Sequence, residues 1–423
     1  ILLFSVTSHA VTIANRPLYL ENDSAIEPNI MFTLDDSGSM DDDYLSTNNI
    51  APTGNNAKSS TYNKLYYNPT VHYRPWIDSD GTDYPDSTST CTRSGSNPNY
   101  TYNCVYYTPT GTAVRIYSGV TSYTGGPNRT DCANPNSCTF AEERQNFANW
   151  KTYYSTRLKA AQAGIGRAFY ELSDKVRVGY GSINSGSKTV DGSTTNTIIQ
   201  GVRKFNTAAK ADFLTWLYAV NANGYTPLRR AMDDVGKYYE RAKNSGSPWA
   251  DAPGQTSYGE FKSCRQSYHI LMTDGYWNSS SASTTAAQAN VDNADGALIT
   301  NDLGGAKIQF KAVNPYKDGS ANTLADVAAY YWKRDLQTGI KNKVSPSSDD
   351  PAYWQHMVNF TVSFGLSGSL TYGANTLQQL TNGTLSWPSI STAEASSEIP
   401  KKIDDLWHAA VNGRGLYISA GTP

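Results

Sequence analysis

Residues 29–40 read NIMFTLDDSGSM, a run of apolar and β-favouring side chains from Ile30 to Leu34 that stops abruptly on two carboxylates and a series of small residues. A short run without polar alternation is the mark of a strand buried on both faces, and such strands belong to parallel sheets covered by helices. The chain repeats the theme: KVRVGYGSI (175–183), TIIQGVRKF (197–205), SYHILMT (267–273) and HMVNFTVSFGL (356–366) read as further strands. Between them RLKAAQAGIGRAFYEL (157–172), AAKADFLTWLYAV (208–220), PLRRAMDDVGKYYERA (227–242), LADVAAYYWKRDL (324–336) and 394–411 carry helical spacing. Strands alternating with helices of ten or more residues predict an α/β fold with a central, mostly parallel sheet flanked by helices and its sites at the carboxyl ends of the strands.

Two Asn/Ser/Gly-rich stretches, at about 44–145 and about 279–320, interrupt this order and read as long inserted loop regions within one domain over 11–423. The first contains four of the five cysteines. Residues 1–10, ILLFSVTSHA, read as the remnant of a secretory signal peptide, with Ser8 and Ala10 as the small residues of a cleavage site. In an exported chain the near pairs Cys91/Cys104 and Cys132/Cys138 are disulfide candidates that staple loops poor in core, and Cys264 is left over. No spacing resembles a zinc site. With 35 Lys+Arg against 37 Asp+Glu the net charge is −2, so electrostatics gives no reason to expect nucleic acid as a partner. No apolar stretch reaches the roughly 20 residues of a membrane helix. The 30 Tyr, 9 Trp and 11 Phe argue for a folded chain.

Three strand-end segments combine into one constellation: Asp35-x-Ser37-x-Ser39 after the first strand, Thr226 in NANGYTPL, and Asp274 in MTDG. Two carboxylates and three hydroxyls are hard oxygen donors, suited to a divalent cation, Mg²⁺ first and Mn²⁺ or Ca²⁺ after it. Alternate side chains at 35, 37 and 39 can turn to one point, with Gly38 expected to let the backbone bend around an ion. Thr226-Pro227 reads as a helix N-cap followed by Pro at the first helical position.

DDSGSM, a Thr before a helix and TDG after an apolar strand together resemble the metal-ion-dependent adhesion site of von Willebrand factor A domains, a Rossmann-like fold. The resemblance implies Asp35, Ser37, Ser39, Thr226 and Asp274 as the metal ligands, with a partner's carboxylate completing the shell. Longer strings, RPLYLENDSAIEPNIMFTLDDSGSM, KLYYNPTVHYRPW, SYHILMTDGYWN, DPAYWQHMVNFTVSFGL and IDDLWHAAVNGRG, resemble the type IV pilus tip adhesins, PilC and its PilY relatives. That likeness implies a protein exported through the periplasm of a Gram-negative bacterium to the pilus tip or cell surface. It also implies minor pilins, a host-cell or matrix ligand and a carboxyl-terminal β-propeller, not included in this chain, as partners. Adhesion and pilus biogenesis are the roles it implies, with a structural pilus-tip cap as the alternative. The chain has no Arg-Gly-Asp.

Other features carry less. Asp41-Asp42-Asp43 read first as a solvated helix start that complements the helix dipole, with added negative potential beside the metal motif as the alternative. The segment from Asp78 to Asp83 alternates carboxylates like part of a calcium loop but lacks the terminal Glu, and Asp292–Gly296 is weaker still. The pairs Tyr66-Tyr67, Tyr106-Tyr107 and Tyr276-Trp277 suit either contact surface or packing under the insertions. An enzyme is not expected: there is no G-x-S-x-G, Gly186-Ser187-Lys188-Thr189 lacks the upstream Gly of a phosphate loop, and Gly164-x-Gly166 falls inside a helical pattern.

Overall fold

A computed structural model describes residues 26–46, 50–278, 280–391, 394 and 397–420; the leader remnant at 1–10 lies outside them. Six strands form the main sheet: β1 (Asn29–Leu34), β2 (Arg177–Ser182), β3 (Ile198–Lys204), β4 (Ser267–Thr273), β5 (Val358–Phe364) and β6 (Arg414–Ala420). Their order is β3-β2-β1-β4-β5-β6, parallel throughout except for β3, which runs antiparallel to β2. Chain order turns back on itself between β1 and β4, the crevice where open α/β sheets form their sites.

Every side chain of β1 is buried, as its run of apolar and β-favouring residues from Ile30 to Leu34 leads one to expect. Ile30, Phe32 and Leu34 point to one face, where helices α2 (Arg157–Tyr170) and α3 (Thr207–Ala219) cover them. Met31 points to the other, against α4 (Leu228–Tyr239), α5 (Leu324–Trp332) and α7 (Lys401–Asn412). Across the middle of the sheet runs a buried polar row: His269 Nε2 lies 3.0 Å from Thr33 Oγ1 and its Nδ1 3.0 Å from Asn359 Oδ1.

The first insertion leaves β1 and returns at α2 with a small core of its own. Three short hairpins, 93–102, 105–115 and 122–139, pack with α1 (Phe140–Tyr153) around Tyr67, Tyr106, Ile116, Tyr123, Phe147 and Trp150. Disulfides join Cys91 to Cys104 and Cys132 to Cys138, and Cys264 is exposed and free. Tyr67, Tyr106, Tyr276 and Trp277 are buried and pack under the insertions and the sheet, whereas Tyr66 and Tyr107 stay partly exposed.

Several boundaries move from the sequence expectation. The last helix starts at Lys401, not 394, because Pro400 stands immediately before it. α5 ends at Trp332, four residues short of the expected Leu336. A helix over Ala374–Asn382, α6, has no counterpart in the reading: it is rich in Asn, Gln and Thr and is stopped by Gly383 at φ +76°. Among the described residues no helix is long and apolar enough to cross a membrane.

Candidate metal centre

The loop after β1 is built by its own side chains. Asp35 stays in the ladder through its N–H to Met272 O (2.9 Å), and its Oδ1 then accepts the Ser37 N–H at 2.8 Å, a local turn that brings residue 37 back toward 35. A single helical turn over Gly38–Asp41 follows, pinned by the fully buried Met40. Asp35 Oδ2 accepts the Thr273 hydroxyl at 2.5 Å, which ties the loop to the end of β4.

Next to that turn the predicted residues meet. Ser37 Oγ and Ser39 Oγ are 3.1 Å apart, and Ser39 donates to Asp274 Oδ1 at 2.9 Å. A point one carbon off Gly275 Cα lies 3.5 Å from Ser39 Oγ and 3.9 Å from Thr226 Oγ1, so these hydroxyls converge beside the Asp274-Gly275 turn. Thr226 is held by Asn278, whose Oδ1 accepts the Thr226 N–H at 2.8 Å and whose N–H donates to Thr226 O at 3.0 Å. Asp35, Ser37 and Asp274 are almost completely buried, Thr226 is 5% exposed, and Ser39 and Gly38 open the cluster to solvent.

Two local expectations are corrected. Helix α4 begins at Leu228, and no side chain caps it. The Thr226 hydroxyl therefore does not bond the helix and, among the described residues, accepts and donates no hydrogen bond. Gly38 is not demanded by close approach, since a Cβ there would sit 3.6 Å from Gly224 O, an ordinary contact. The glycine that the loop needs is Gly224, at φ +85°, whose carbonyl accepts the Gly38 N–H at 3.1 Å.

Three residues of this neighbourhood were not singled out by sequence reasoning. Arg157, the first residue of α2, reaches Asp274 Oδ2 with Nη1 at 2.9 Å, Tyr44 O with Nε at 2.8 Å, and Asp42 Oδ2 with Nη2 at 3.4 Å. Asn184 holds Asp36 away from the cluster, donating to its Oδ1 from the backbone at 2.9 Å and from Nδ2 at 3.1 Å. Asn278 is the third. Arg157 lies 117 residues from Asp274 and Asn184 148 from Asp36, while Asn278 closes the SYHILMTDGYWN string but acts 52 residues away on Thr226, so only Arg157's place at a helix start and Asn278's nearness to Asp274 offered any local signal. Asp42 is not merely solvated, as the sequence suggested, but is part of Arg157's environment.

Electrostatically the centre is tense. Burial raises the carboxyl of Asp35 above its ordinary range. Asp274 is pushed up to about 7, first by burial and then by the charge of Asp35, with Arg157 opposing the shift. The Arg157 guanidinium thus offsets Asp274, one of two closely placed buried carboxyls. The donor set of two carboxylates and three hydroxyls, one hydroxyl without a partner, fits a hard divalent cation; two carboxylates alone make a modest holder that gains from an outside acid.

The remaining acidic segments do not assemble. Asp78 and Asp80 accept from Ser79 and Thr82 within their own turn, and Asp83 pairs with Arg74 and Arg167, both at 2.9 Å. Asp292 is buried facing His408 at 3.7 Å. Among the described residues no group of three or more His, Cys, Asp and Glu is arranged to hold a metal.

Against curated proteins, the chain aligns along its full length with the type IV pilus biogenesis factor PilY1 of Pseudomonas aeruginosa, at 33% identity over 475 residues in two strains and over 477 in a third. The whole chain is homologous to PilY1. It spans 39% of the length of these relatives. No family model matches the chain.

Proposed function

We propose that this chain is part of a type IV pilus biogenesis factor and adhesin. It is exported to the pilus tip or surface of a Gram-negative bacterium and grips host cells or other surfaces through a metal-ion-dependent adhesion site. Homology to PilY1 along the whole of this chain, over 39% of that protein's length, supports the pilus role. The sheet order with its antiparallel edge strand β3 supports the von Willebrand factor A reading of the fold. The observation that carries the metal reading is the meeting of Ser37, Ser39, Thr226 and Asp274 over the crevice between β1 and β4.

In this reading Asp35 anchors the first loop, the Ser37, Ser39 and Thr226 hydroxyls and Asp274 face Mg²⁺, and a partner's carboxylate fills the open side. The bound cation supplies the charge that draws that carboxylate in. Tyr225, 72% exposed beside Thr226, offers a contact ring at the rim. Minor pilins and the remainder of the full-length protein are the assembly partners. No step requires enzymatic chemistry.

A second reading, a pilus-tip cap whose role is mechanical, is favoured by one observation: Arg157 already offsets Asp274 without a metal. Bacteria carrying Asp274→Ala separate the two. The adhesive reading expects attachment per pilus to fall while pilus number is kept. Unchanged attachment in that strain, with pilus number falling in a Cys132→Ser strain instead, selects the cap.

A further inference from the structure

A cavity of about 1030 Å³ lies away from the metal centre, in the first insertion. It is open and mixed in character. Half-exposed tyrosines Tyr100, Tyr102, Tyr107 and Tyr117 line it together with Lys64 and Arg115. Among the described residues no carboxylate lines it. Among the described residues neither cation pairs with an acid, and none of the four phenol hydroxyls makes a hydrogen bond within the protein.

The rings are held as platforms. Tyr102 and Tyr117 have centroids 5.0 Å apart, and the Arg115 guanidinium stands 5.4 Å from the Tyr102 ring. Arg93 stacks 4.3 Å from Tyr100 and 5.4 Å from Tyr117, adding a third positive charge behind the wall. The floor is rigid: Tyr106 and Tyr123 are buried in the insertion core, and the Tyr123 hydroxyl accepts the Tyr117 N–H at 3.0 Å. The Cys91–Cys104 bridge closes the hairpin that carries Tyr100 and Tyr102.

We propose that this cleft binds an anionic saccharide, with sugar rings laid on the tyrosine faces, hydroxyls exchanged onto the free phenols and the threonines around them, and an acid group set against Arg115 and Lys64. Ring faces provide apolar area while phenols provide polar handles, the combination a polyhydroxylated ring requires. An apolar peptide would ask for aliphatic pockets, and the wall has few. A nucleic-acid strand would ask for a longer track of cations than Lys64, Arg115 and Arg93 supply. The site is independent of the metal centre, since no residue is common to both.

The test uses the full 423-residue chain and isothermal titration with tetragalacturonic acid, with maltotetraose as the neutral counterpart and octaproline and an oligothymidine as other classes. The expected result is saturable binding of the acidic tetrasaccharide, unaffected by EDTA or by Asp35→Ala and weakened by salt. Arg115→Gln is expected to weaken it roughly tenfold by removing one charge-assisted contact. The double variant Tyr102→Phe, Tyr117→Phe, which keeps the rings and removes two hydroxyls, is expected to weaken it while leaving the melting temperature in place. Equal binding of maltotetraose, or binding of octaproline or oligothymidine with no saccharide bound, overturns the proposal, and so does silence with all four.

Discussion

At the scale of single residues the molecule turns on Arg157. Its guanidinium touches Asp274, the carboxylate that a cation at this centre would need, so arginine and metal compete for the same charge. Removing the guanidinium relieves a dication of twice the repulsion from which it relieves a proton, so the metal gains more than the protonated carboxyl does. Arg157→Gln is therefore expected to tighten Mg²⁺ binding roughly tenfold at pH 8. The same change leaves a buried carboxyl without its partner and is expected to lower the metal-free melting temperature, with Mg²⁺ restoring it. Weaker binding in this variant would instead make Arg157 a positioning residue for Asp274. Asp35, Ser37, Ser39, Thr226 and Asp274 were legible in the sequence because each ends a strand or sits in a loop beside a helix, and short motifs report on strand ends. Arg157, Asn184 and Asn278 were not, because what selects them is distance across the fold, which no local spacing encodes.

Elements explain where the reading worked and where it slipped. β1 and β4 announce themselves by short, mostly apolar and β-favouring runs, whereas α6 is built from Asn, Gln and Thr, with Leu380 its one fully buried side chain, and so shows no apolar stripe. The insertion hairpins are two or three residues per strand, too short for any period to emerge. Their order comes from the aromatic core and the two bridges, which close loops of 13 and 6 residues. Loop-closure entropy assigns each bridge about 2–3 kcal/mol. Reduction is accordingly expected to release amide protection across 91–139 in hydrogen exchange while β1 and β4 stay protected; loss of both together would mean that insertion and sheet unfold as one unit.

A buried acidic group between the second insertion, α5 and α7 makes a prediction about pH. Burial, with the neighbouring acids, pushes Asp292 up to about 8 and Asp326 to about 6, and burial pushes Asp318 up to about 7, against an ordinary 3.8. Groups facing them include His408, which burial lowers to about 3, and Lys333, likewise lowered by burial. Carboxyls with raised folded pKa values bind protons more tightly in the native state, so the stability they contribute is present at low pH and lost as pH rises through about 6 to 8. His408 and His269, held neutral by burial at about 3 and 4, act in the opposite sense only below their ordinary 6.5. The melting temperature is thus expected to fall between pH 6.5 and 9, and Asp292→Asn is expected to flatten that slope. A curve still rising over this interval would contradict the assignment.

For the molecule as a whole, the sheet sets two loops and a helix start over one crevice, the insertion adds a separate tyrosine cleft, and the chain that carries both is homologous to PilY1. The central claim is that the crevice holds a divalent cation through the Asp35–Ser39 loop, Thr226 and Asp274. The most direct test is calorimetric titration of Mg²⁺ into the wild-type chain and an Asp35→Ala, Ser37→Ala variant, each with and without acetate as a stand-in for a partner's carboxylate. The account predicts saturable binding to the wild type, strengthened by acetate and lost in a variant that still melts cooperatively. Binding that survives in the variant, or no binding to the wild type in either buffer, would contradict it.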